Sequence, residues 1–171
     1  MPEKGIEAAI AACARAGVTL VIAGEGPERG RLESGAAGAR FVGRASGEQL
    51  AQLRDQASVA LAPSLFAETF GLAAAEAMAA GLPVAASRIG ALPELVPDDW
   101  LVAPGDVHAL ARVVARLADD PGASALALAR ARAVTAPEVV GRALTALYDR
   151  AVASRGNTRW VASRAGTPPG C

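Results

Sequence analysis

Two glutamates eight residues apart, Glu68 and Glu76, stand in a segment that is otherwise mainly apolar, FAETFGLAAAEAMAAGLP (66–83). An ionised carboxylate accepts several hydrogen bonds, so the hydroxyls of a sugar are good candidate partners for Glu76. If a helix begins near Gly71, Glu68 lies in the loop before it and Glu76 projects from its second turn. The apolar neighbours of Glu76 predict that it lies near buried surface, where a carboxylate needs a donor as its partner.

The start of this helix also offers donors for a phosphate. The amides of Phe70, Gly71 and Leu72 would be free of partners within the helix, and the helix dipole favours an anion beside them. Gly71 has no side chain to block close approach. A purely structural alternative remains open, in which Glu68 favours the helix start and Glu76 pairs with an arginine.

These residues need a scaffold that brings strand ends together, and the rest of the chain predicts one. Short apolar runs predict buried parallel strands, and the segments between them predict helices. The predicted strands are 18–24, 39–43, 58–64, 83–88 and 100–106. The predicted helices are 3–16, one opened by Pro27, 46–56, one from about residue 71, 91–96, 107–117, 122–134 and 137–152.

This alternation predicts an α/β fold, a Rossmann-like doubly wound parallel sheet, in which ligands bind outside the carboxyl ends of the strands. Three helix ends have local signals: Gly17 as a C-terminal glycine, Ser46 with Gln49 as a capping box, and Asp106 as an N-cap. We predict one domain over 1–152. Residues 153–171 are rich in Ser, Arg, Gly, Thr and Pro and predict a disordered tail.

Composition excludes several classes of partner. The 171 residues include 17 basic and 17 acidic ones, so no overall field attracts nucleic acid or a membrane. Cys13 and Cys171 match neither a disulfide framework nor a metal site. No apolar stretch is long enough to span a bilayer, and MPEKG is not a signal peptide. A cytoplasmic location is the default expectation.

The segment AETFGLAAAEAMAAGLPVAAS (67–87) resembles the E-x7-E signature of the retaining GT-B glycosyltransferases, the glycosyl transferases group 1 family. The resemblance extends from Pro2 to about Leu117. It continues through PEKGIEAAIAA, LVIAGEGPERGRLE, FVGRASGEQLAQLRDQASVALAPS, IGALPELV and LVAPGDVHALA, in the family's order and spacing. It implies the C-terminal, nucleotide-sugar-binding half of a two-domain enzyme.

Three roles rest on the resemblance alone. It implies that Lys4 neutralises the diphosphate of the donor, a task suited to a compact ammonium. It implies that Gly43 and Arg44 line the nucleobase pocket, partly through backbone groups. Without the resemblance, Lys4 would be an exposed N-terminal lysine and Arg44 a surface loop residue.

The resemblance also gives the glutamates distinct roles. Glu68 would be the catalytic residue, facing the transferred sugar, and Glu76 would accept the two ribose hydroxyls. Phe70, Gly71 and Leu72 would offer backbone amides to the sugar and diphosphate. The donor substrate is a nucleotide-diphosphate sugar, and neither a metal nor another cofactor is expected.

Two departures from the family pattern carry further expectations. The family's "GR" and the strand before the EKG lysine are absent from this sequence, as is the acceptor-binding N-terminal domain. In a doubly wound sheet that first strand lies between the strands TLVIAG (19–24) and VALAP (59–63). We therefore expect either a gap between these strands or their direct pairing.

Three functions remain open. In the first, the chain belongs to a retaining hexosyltransferase, active only with an N-terminal domain or a partner chain; the acceptor is unknown. In the second, it is a non-catalytic fragment that binds a nucleotide or nucleotide sugar. The third is a GT-B nucleotide-sugar epimerase, against which the E-x7-E arrangement argues.

Overall fold

The computed structural model describes residues 2–36 and 38–155, and these fall into two units that divide between Ala136 and Pro137. The strands are β1 (Leu20–Ala23), β2 (Ala39–Gly43), β3 (Ala60–Ala62), β4 (Val84–Ser87) and β5 (Leu101–Val102). The helices are α1 (Ile6–Ala16), α2 (Arg29–Gly35), α3 (Gly47–Asp55), α4 (Leu72–Ala79), α5 (Leu92–Leu95), α6 (Val107–Ala118), α7 (Ala123–Thr135) and α8 (Pro137–Arg155). Short 3-10 turns span Pro2–Lys4 and Asp98–Trp100.

The strands alternate with helices and pair in parallel, which confirms the predicted fold class. β1 pairs with β2, β3 with β4, and β4 with β5. Each predicted strand is present, and four of the five are shorter than their apolar runs. Parallel strands joined by helices bring the carboxyl ends of the strands to one edge, where the loops after them form the site described below.

The strands form two sheets, with orders β1-β2 and β3-β4-β5. In the described chain, β1 and β3 are not ladder neighbours. A cavity of about 680 Å³ is lined by all four residues of β1 and by Ala60 and Leu61 of β3. The gap expected between these strands is therefore confirmed, and their direct pairing does not occur.

The hydrophobic core surrounds the three-stranded sheet. All four residues of β4 and both residues of β5 are buried. The largest fully buried side chains include Met78 of α4, Leu92 of α5 and Leu110 of α6. The side chains of β1 are partly exposed, and α2 and α3 contribute no buried residue. The two-stranded sheet therefore has much less packing behind it.

The predicted helix caps are confirmed. Gly17 ends α1 in the left-handed conformation, with φ of 69°. The Ser46 hydroxyl accepts a hydrogen bond from the Gln49 amide at 3.2 Å, and the Gln49 side chain accepts one from the Ser46 amide at 2.7 Å. Asp106 Oδ1 accepts from the Ala109 amide at 2.8 Å. These ends are set by neighbours in the sequence, which explains why they could be predicted.

The predicted start of the first helix is wrong. Residues 3–16 were expected to be one helix, but the turn Pro2–Lys4 is separated from α1 by Gly5. Gly5 has a φ of 64°, a left-handed conformation that few other residues adopt. A Cβ at this position would lie 1.9 Å from the Pro63 carbonyl oxygen. A contact with the end of β3, distant in sequence, therefore sets the break.

The second unit contributes α8, which continues to Arg155. The predicted tail therefore begins too early, because 153–155 are helical; its remainder, 156–171, lies outside the described residues. The sequence predicted one domain over 1–152, whereas the two units divide at residue 136. None of the helices in residues 2–36 and 38–155 is long and apolar enough to cross a membrane.

Candidate functional site

Glu68 lies in the loop between β3 and α4, where two donors share one of its oxygens. Lys4 Nζ donates to Glu68 Oε1 at 2.6 Å, and Ser64 Oγ donates to the same oxygen at 2.7 Å. The Lys4 side chain is 57% exposed and that of Glu68 is 22% exposed. The hydrogen bond from Lys4, followed by that from Ser64, lowers the pKa of Glu68. Glu68 is therefore ionised at neutral pH and holds the ammonium at this loop.

The backbone of Glu68 is fixed by the loop after β4. The Ala91 amide donates to the Glu68 carbonyl at 2.9 Å. Gly90 has a φ of 57°, and a Cβ there would lie 2.4 Å from the same carbonyl oxygen and 2.5 Å from the Glu68 nitrogen. Only glycine allows these two loops to approach so closely. Loops from two neighbouring strand ends therefore hold Glu68 in place.

The turn that carries Lys4 is attached to the end of β3. The Leu65 amide donates to the Glu3 carbonyl at 2.8 Å, and Gly5 packs on the Pro63 carbonyl. These contacts on either side of Lys4 hold its backbone beside the β3–α4 loop. The structure thus brings together Lys4 and Glu68, two residues that lie 64 positions apart in the sequence.

The start of α4 has the features expected of a phosphate-binding helix end. Gly71 is the N-cap residue, with a φ of 83°, and no side chain caps the helix in the described chain. A Cβ at Gly71 would lie 2.8 Å from Leu92 Cδ2. The helix begins at Leu72, as expected, and the side chains of Phe70 and Leu72 are exposed. The first-turn amides can therefore donate to an anion at this position.

Glu76 is not near buried surface, and this prediction is wrong. Its side chain is 56% exposed and accepts a hydrogen bond from Arg54 Nη2 at 2.5 Å. The buried face of α4 consists of Ala74, Ala75, Ala77 and Met78. The helical period places residue 76 on the opposite face, although its neighbours in the sequence are apolar. This pair agrees with the purely structural alternative given above, in which Glu76 pairs with an arginine. The carboxylate oxygens of Glu76 can still accept further hydrogen bonds.

Gly43 and Arg44 lie where β2 ends. The Gly43 carbonyl accepts from the Gly24 amide at 2.7 Å, and Gly43 has a φ of 72°. A Cβ at Gly43 would lie 2.8 Å from Glu25 Oε1 and 3.0 Å from Arg29 Nη1, two groups that form an ion pair with each other. Arg44 is exposed, as a surface loop residue would be. Among the described residues, no side-chain hydrogen bond links this region to Glu68 or Glu76.

Sequence reasoning missed three residues that shape the site. Ser64 is a buried polar residue, and its position at the end of an apolar run was a usable signal. Gly90 follows the next strand, where a glycine indicates close backbone approach. Arg54 gave no signal of its own, because its partner Glu76 lies on a different helix.

No group of three or more His, Cys, Asp or Glu side chains in the described ranges is arranged to hold a metal ion. The charged groups at the site are instead arranged as single pairs, Lys4 with Glu68 and Arg54 with Glu76. Binding of a donor without a metal or cofactor stays a prediction.

The sequence matches the family described as "Glycosyl transferases group 1" over residues 1–120. It is 41% identical over 136 residues to the glycogen synthase of Mycobacterium tuberculosis, a match that covers 71% of this chain and 33% of that protein. It is equally identical over 136 residues to a GDP-mannose-dependent alpha-(1-6)-phosphatidylinositol dimannoside mannosyltransferase of M. tuberculosis, covering 77% of this chain and 35% of that one. The chain thus spans about a third of the length of these relatives.

The fold is similar to that of solved enzymes. Sucrose-phosphate synthase from Thermosynechococcus elongatus superposes with a TM-score of 0.72 and 32% identity, over 90% of this chain and 44% of that one. The match to the family and the similarity of the fold therefore agree with each other.

Proposed function

This chain belongs to the glycosyl transferases group 1 family, with the fold of a GT-B glycosyltransferase, and we propose that it is the donor-binding domain of a retaining enzyme. The reaction would transfer a hexosyl group from a nucleotide-diphosphate sugar to an acceptor. A relative whose name specifies GDP-mannose supports a donor of this class.

One observation carries the proposal: an ammonium, a carboxylate and an uncapped helix start meet at one strand end. Lys4 Nζ lies 2.6 Å from Glu68 Oε1, and the Glu68 loop leads directly into α4. The positive groups suit the diphosphate, and the carboxylate suits a sugar hydroxyl. The three elements thus present charges of the right sign for the two halves of a nucleotide sugar.

In this proposal, the positive groups stabilise the leaving group. As the bond from the sugar to the diphosphate breaks, its electron pair passes to the diphosphate oxygen. Lys4 and the amides of Phe70, Gly71 and Leu72 would lower the energy of this charge, which is electrostatic catalysis without a metal. Glu68 would bind a hydroxyl of the transferred sugar and face the positive charge that develops on its ring.

The remaining contacts would bind the nucleoside. Glu76 would accept the two ribose hydroxyls while it keeps its ion pair with Arg54, because a carboxylate can accept several hydrogen bonds. Gly43 and Arg44 would line the base pocket through the loop after β2. The ribose contact thus comes from the surface of α4 and the base contact from the two-stranded sheet.

We further propose that transfer requires an N-terminal domain or a partner chain that binds the acceptor. The chain corresponds to about a third of the length of its relatives, which supports this division of labour. The alternative function is a non-catalytic module that binds a nucleotide or nucleotide sugar. In both cases this chain alone binds the donor and does not turn it over.

Isothermal titration with UDP, GDP and ADP tests the nucleotide site. We expect weak binding of at least one nucleotide, reduced about tenfold or more by Glu76→Ala, because hydrogen bonds to a charged group contribute about 1.5–3 kcal/mol. Glu48→Ala serves as the matched control, since Glu48 is also an exposed helical glutamate. Arg54→Leu breaks the same ion pair but keeps the carboxylate, so it should retain binding.

Three results would contradict the proposal. Unchanged affinity in Glu76→Ala would remove Glu76 from the ribose site, and absence of binding for all three nucleotides would remove the site. Steady sugar transfer by the purified chain, with release of the nucleotide diphosphate, would show that it needs no acceptor domain.

A further inference from the structure

The short helix α5 (Leu92–Leu95) contacts both halves of the candidate site. The Ala91 amide, directly before α5, donates to the Glu68 carbonyl at 2.9 Å. Leu92, the first residue of α5, packs against the start of α4, where a Cβ at Gly71 would lie 2.8 Å from Leu92 Cδ2. The position of α5 therefore helps to determine where the Glu68 backbone and the start of α4 lie.

A helix of four residues does not hold its own position. Isolated helices shorter than about 12 residues are marginal in water, so α5 depends on contacts with the rest of the fold. The side chains of Leu92 and Leu95 are buried, which fixes one face of the helix. Apolar burial is non-directional, so a directional contact is needed as well to fix the helix along its axis.

Arg130, on α7, supplies a directional contact at the end of α5. Its Nε donates to the Leu95 carbonyl at 3.1 Å, and its Nη2 donates to the Glu94 carbonyl at 2.8 Å. The last carbonyls of a helix have no partner within the helix, and a guanidinium presents several donors in one rigid plane. One side chain thus satisfies two neighbouring carbonyls and ties the end of α5 to α7.

Helix α7 is a suitable support because it also packs on α4. Its buried residues, Ala123, Ala127 and Ala131, repeat every four positions and form one face of small side chains. In the described chain, α7 contacts both α4 and α5. Arg130 follows this face closely and is only partly exposed, which restricts its side chain. Arg130 therefore connects α5 to the helix that lies against α4.

We propose that Arg130 is a positioning residue for the donor site: by holding the C-terminal end of α5, it keeps Glu68 and the start of α4 in the arrangement that binds a nucleotide sugar. It acts through α5 rather than by contact with the donor. Its importance for sugar transfer rests on the proposed function, whereas its hold on Glu68 can be measured without a donor.

The test compares Arg130→Met with Arg116→Met, both in the full chain without a donor. Arg116 is the matched control, because its Nη2 also donates to a backbone carbonyl, that of Asp99. Asp99 lies in the turn before β5, at the amino edge of the parallel sheet, whereas Glu68 follows the carboxyl end of β3. Each variant loses an arginine–carbonyl contact, but only Arg130→Met should alter the site.

Amide hydrogen exchange measures the contact between the two loops, and exchange in β4 reports global unfolding for comparison. Relative to β4, we expect the Ala91 amide to exchange at least tenfold faster in Arg130→Met than in Arg116→Met. Equal exchange in the two variants would overturn the proposal.

Titration of the Glu68 carboxyl by NMR gives a readout that a general loss of stability would not change. Hydrogen bonds from Lys4 and then Ser64 lower the pKa of Glu68. We expect this pKa to rise towards the ordinary glutamate value in Arg130→Met but not in Arg116→Met, because displacement of the Glu68 loop weakens both hydrogen bonds. An unchanged pKa in Arg130→Met would also overturn the proposal.

Arg130→Lys is the second variant, and it decides the question if Arg130→Met does not fold. Lysine has one ammonium in place of the planar fork, so it cannot reproduce both hydrogen bonds with the same geometry. We expect the Ala91 amide to exchange about threefold faster than in the wild type, relative to β4. A rate equal to that of the wild type would overturn the proposal.

Donor binding is measured separately, by titration of the wild type and Arg130→Met with UDP-glucose and with GDP-mannose. We expect the donor that binds the wild type to bind Arg130→Met at least fivefold more weakly, and equal affinity would contradict the positioning role. If neither donor binds the wild type, the proposed function fails, while the exchange comparison still decides whether Arg130 holds Glu68.

Discussion

The two sheets of this protein differ in how much packing supports them. The strands β4 and β5 of the three-stranded sheet are fully buried, and α4, α5, α6 and α7 supply buried side chains around it. The strands of the two-stranded sheet are partly exposed, and the neighbouring helices α2 and α3 supply no buried side chains. The difference follows from the cavity between β1 and β3, because the apolar residues that line it lack part of their packing.

This difference divides the proposed donor site. The groups for the sugar and diphosphate, Lys4, Glu68 and the start of α4, are attached to the packed sheet by backbone contacts. The groups for the base, Gly43 and Arg44, lie at the end of the less packed sheet. Preorganisation should therefore be greater at the diphosphate end of the site than at the base end.

The largest expected effect comes from removing a buried leucine. Leu110→Ala should reduce the free energy of unfolding by about 4 kcal/mol, because Leu110 is 2% exposed and a cavity would remain. Leu20→Ala, in β1, should cost about 1 kcal/mol because its side chain already borders empty space. Urea unfolding monitored by circular dichroism measures both. Equal losses would contradict the difference in packing.

A smaller loss of stability should distinguish the cost of a clash with a distant residue from the cost of backbone strain alone. Gly5 and Gly17 flank α1 with φ values of 64° and 69°. A Cβ at Gly5 would meet the Pro63 carbonyl, whereas nothing lies within 4 Å of a Cβ at Gly17. We expect Gly17→Ala to cost about 1 kcal/mol and Gly5→Ala about 3 kcal/mol.

The same urea measurement applies to this glycine pair. If the two glycine variants lose the same stability, the turn that carries Lys4 is not anchored on β3. A loss in Gly5→Ala that clearly exceeds the loss in Gly17→Ala supports the anchor.

The smallest expected effect is the pH dependence of the stability that the Glu68 carboxylate contributes. Its folded pKa is lowered, so the stabilisation by Lys4 and Ser64 is present above the ordinary glutamate value of about 4.3 and is lost as pH falls through the folded value. The stability difference between wild type and Glu68→Gln should be constant from about pH 5 to 7 and shrink below about pH 4. Its size should be about 1 kcal/mol or less, since Lys4 is exposed.

Urea unfolding at several pH values measures this difference. When the Glu68 and Glu68→Gln proteins both also carry Lys4→Met, most of the pH-dependent difference between them should disappear. The reason is that Lys4 is the main cause of the lowered pKa of Glu68. A difference that grows as the solution is acidified would show that Glu68 is stabilised in its protonated form instead.

The elements could be predicted because their signals are local. Apolar runs located all five strands, and the capping residues Ser46 and Asp106 located helix starts. The gap could also be predicted, because the family resemblance implied an absent first strand and the order of strands in a doubly wound sheet gives that strand a defined position.

The features that could not be predicted depend on contacts between residues distant in sequence. Gly5 breaks the first helix because Pro63 lies against it, and the sequence carries no signal of that contact. Apolar neighbours suggested that Glu76 lies near buried surface, but most of them are alanines on the opposite face of α4. Arg54, its partner, lies on another helix. Local composition therefore located α4 but not the environment of each of its side chains.

The most direct test of the account is amide chemical-shift mapping by NMR during titration with UDP-glucose and with GDP-mannose. We predict that at least one donor shifts Lys4, Phe70, Gly71, Leu72 and Glu76 most strongly, with smaller shifts at Gly43 and Arg44. No shift at millimolar donor concentration, or shifts confined to residues away from the loop between β3 and α4, would contradict the proposed donor site.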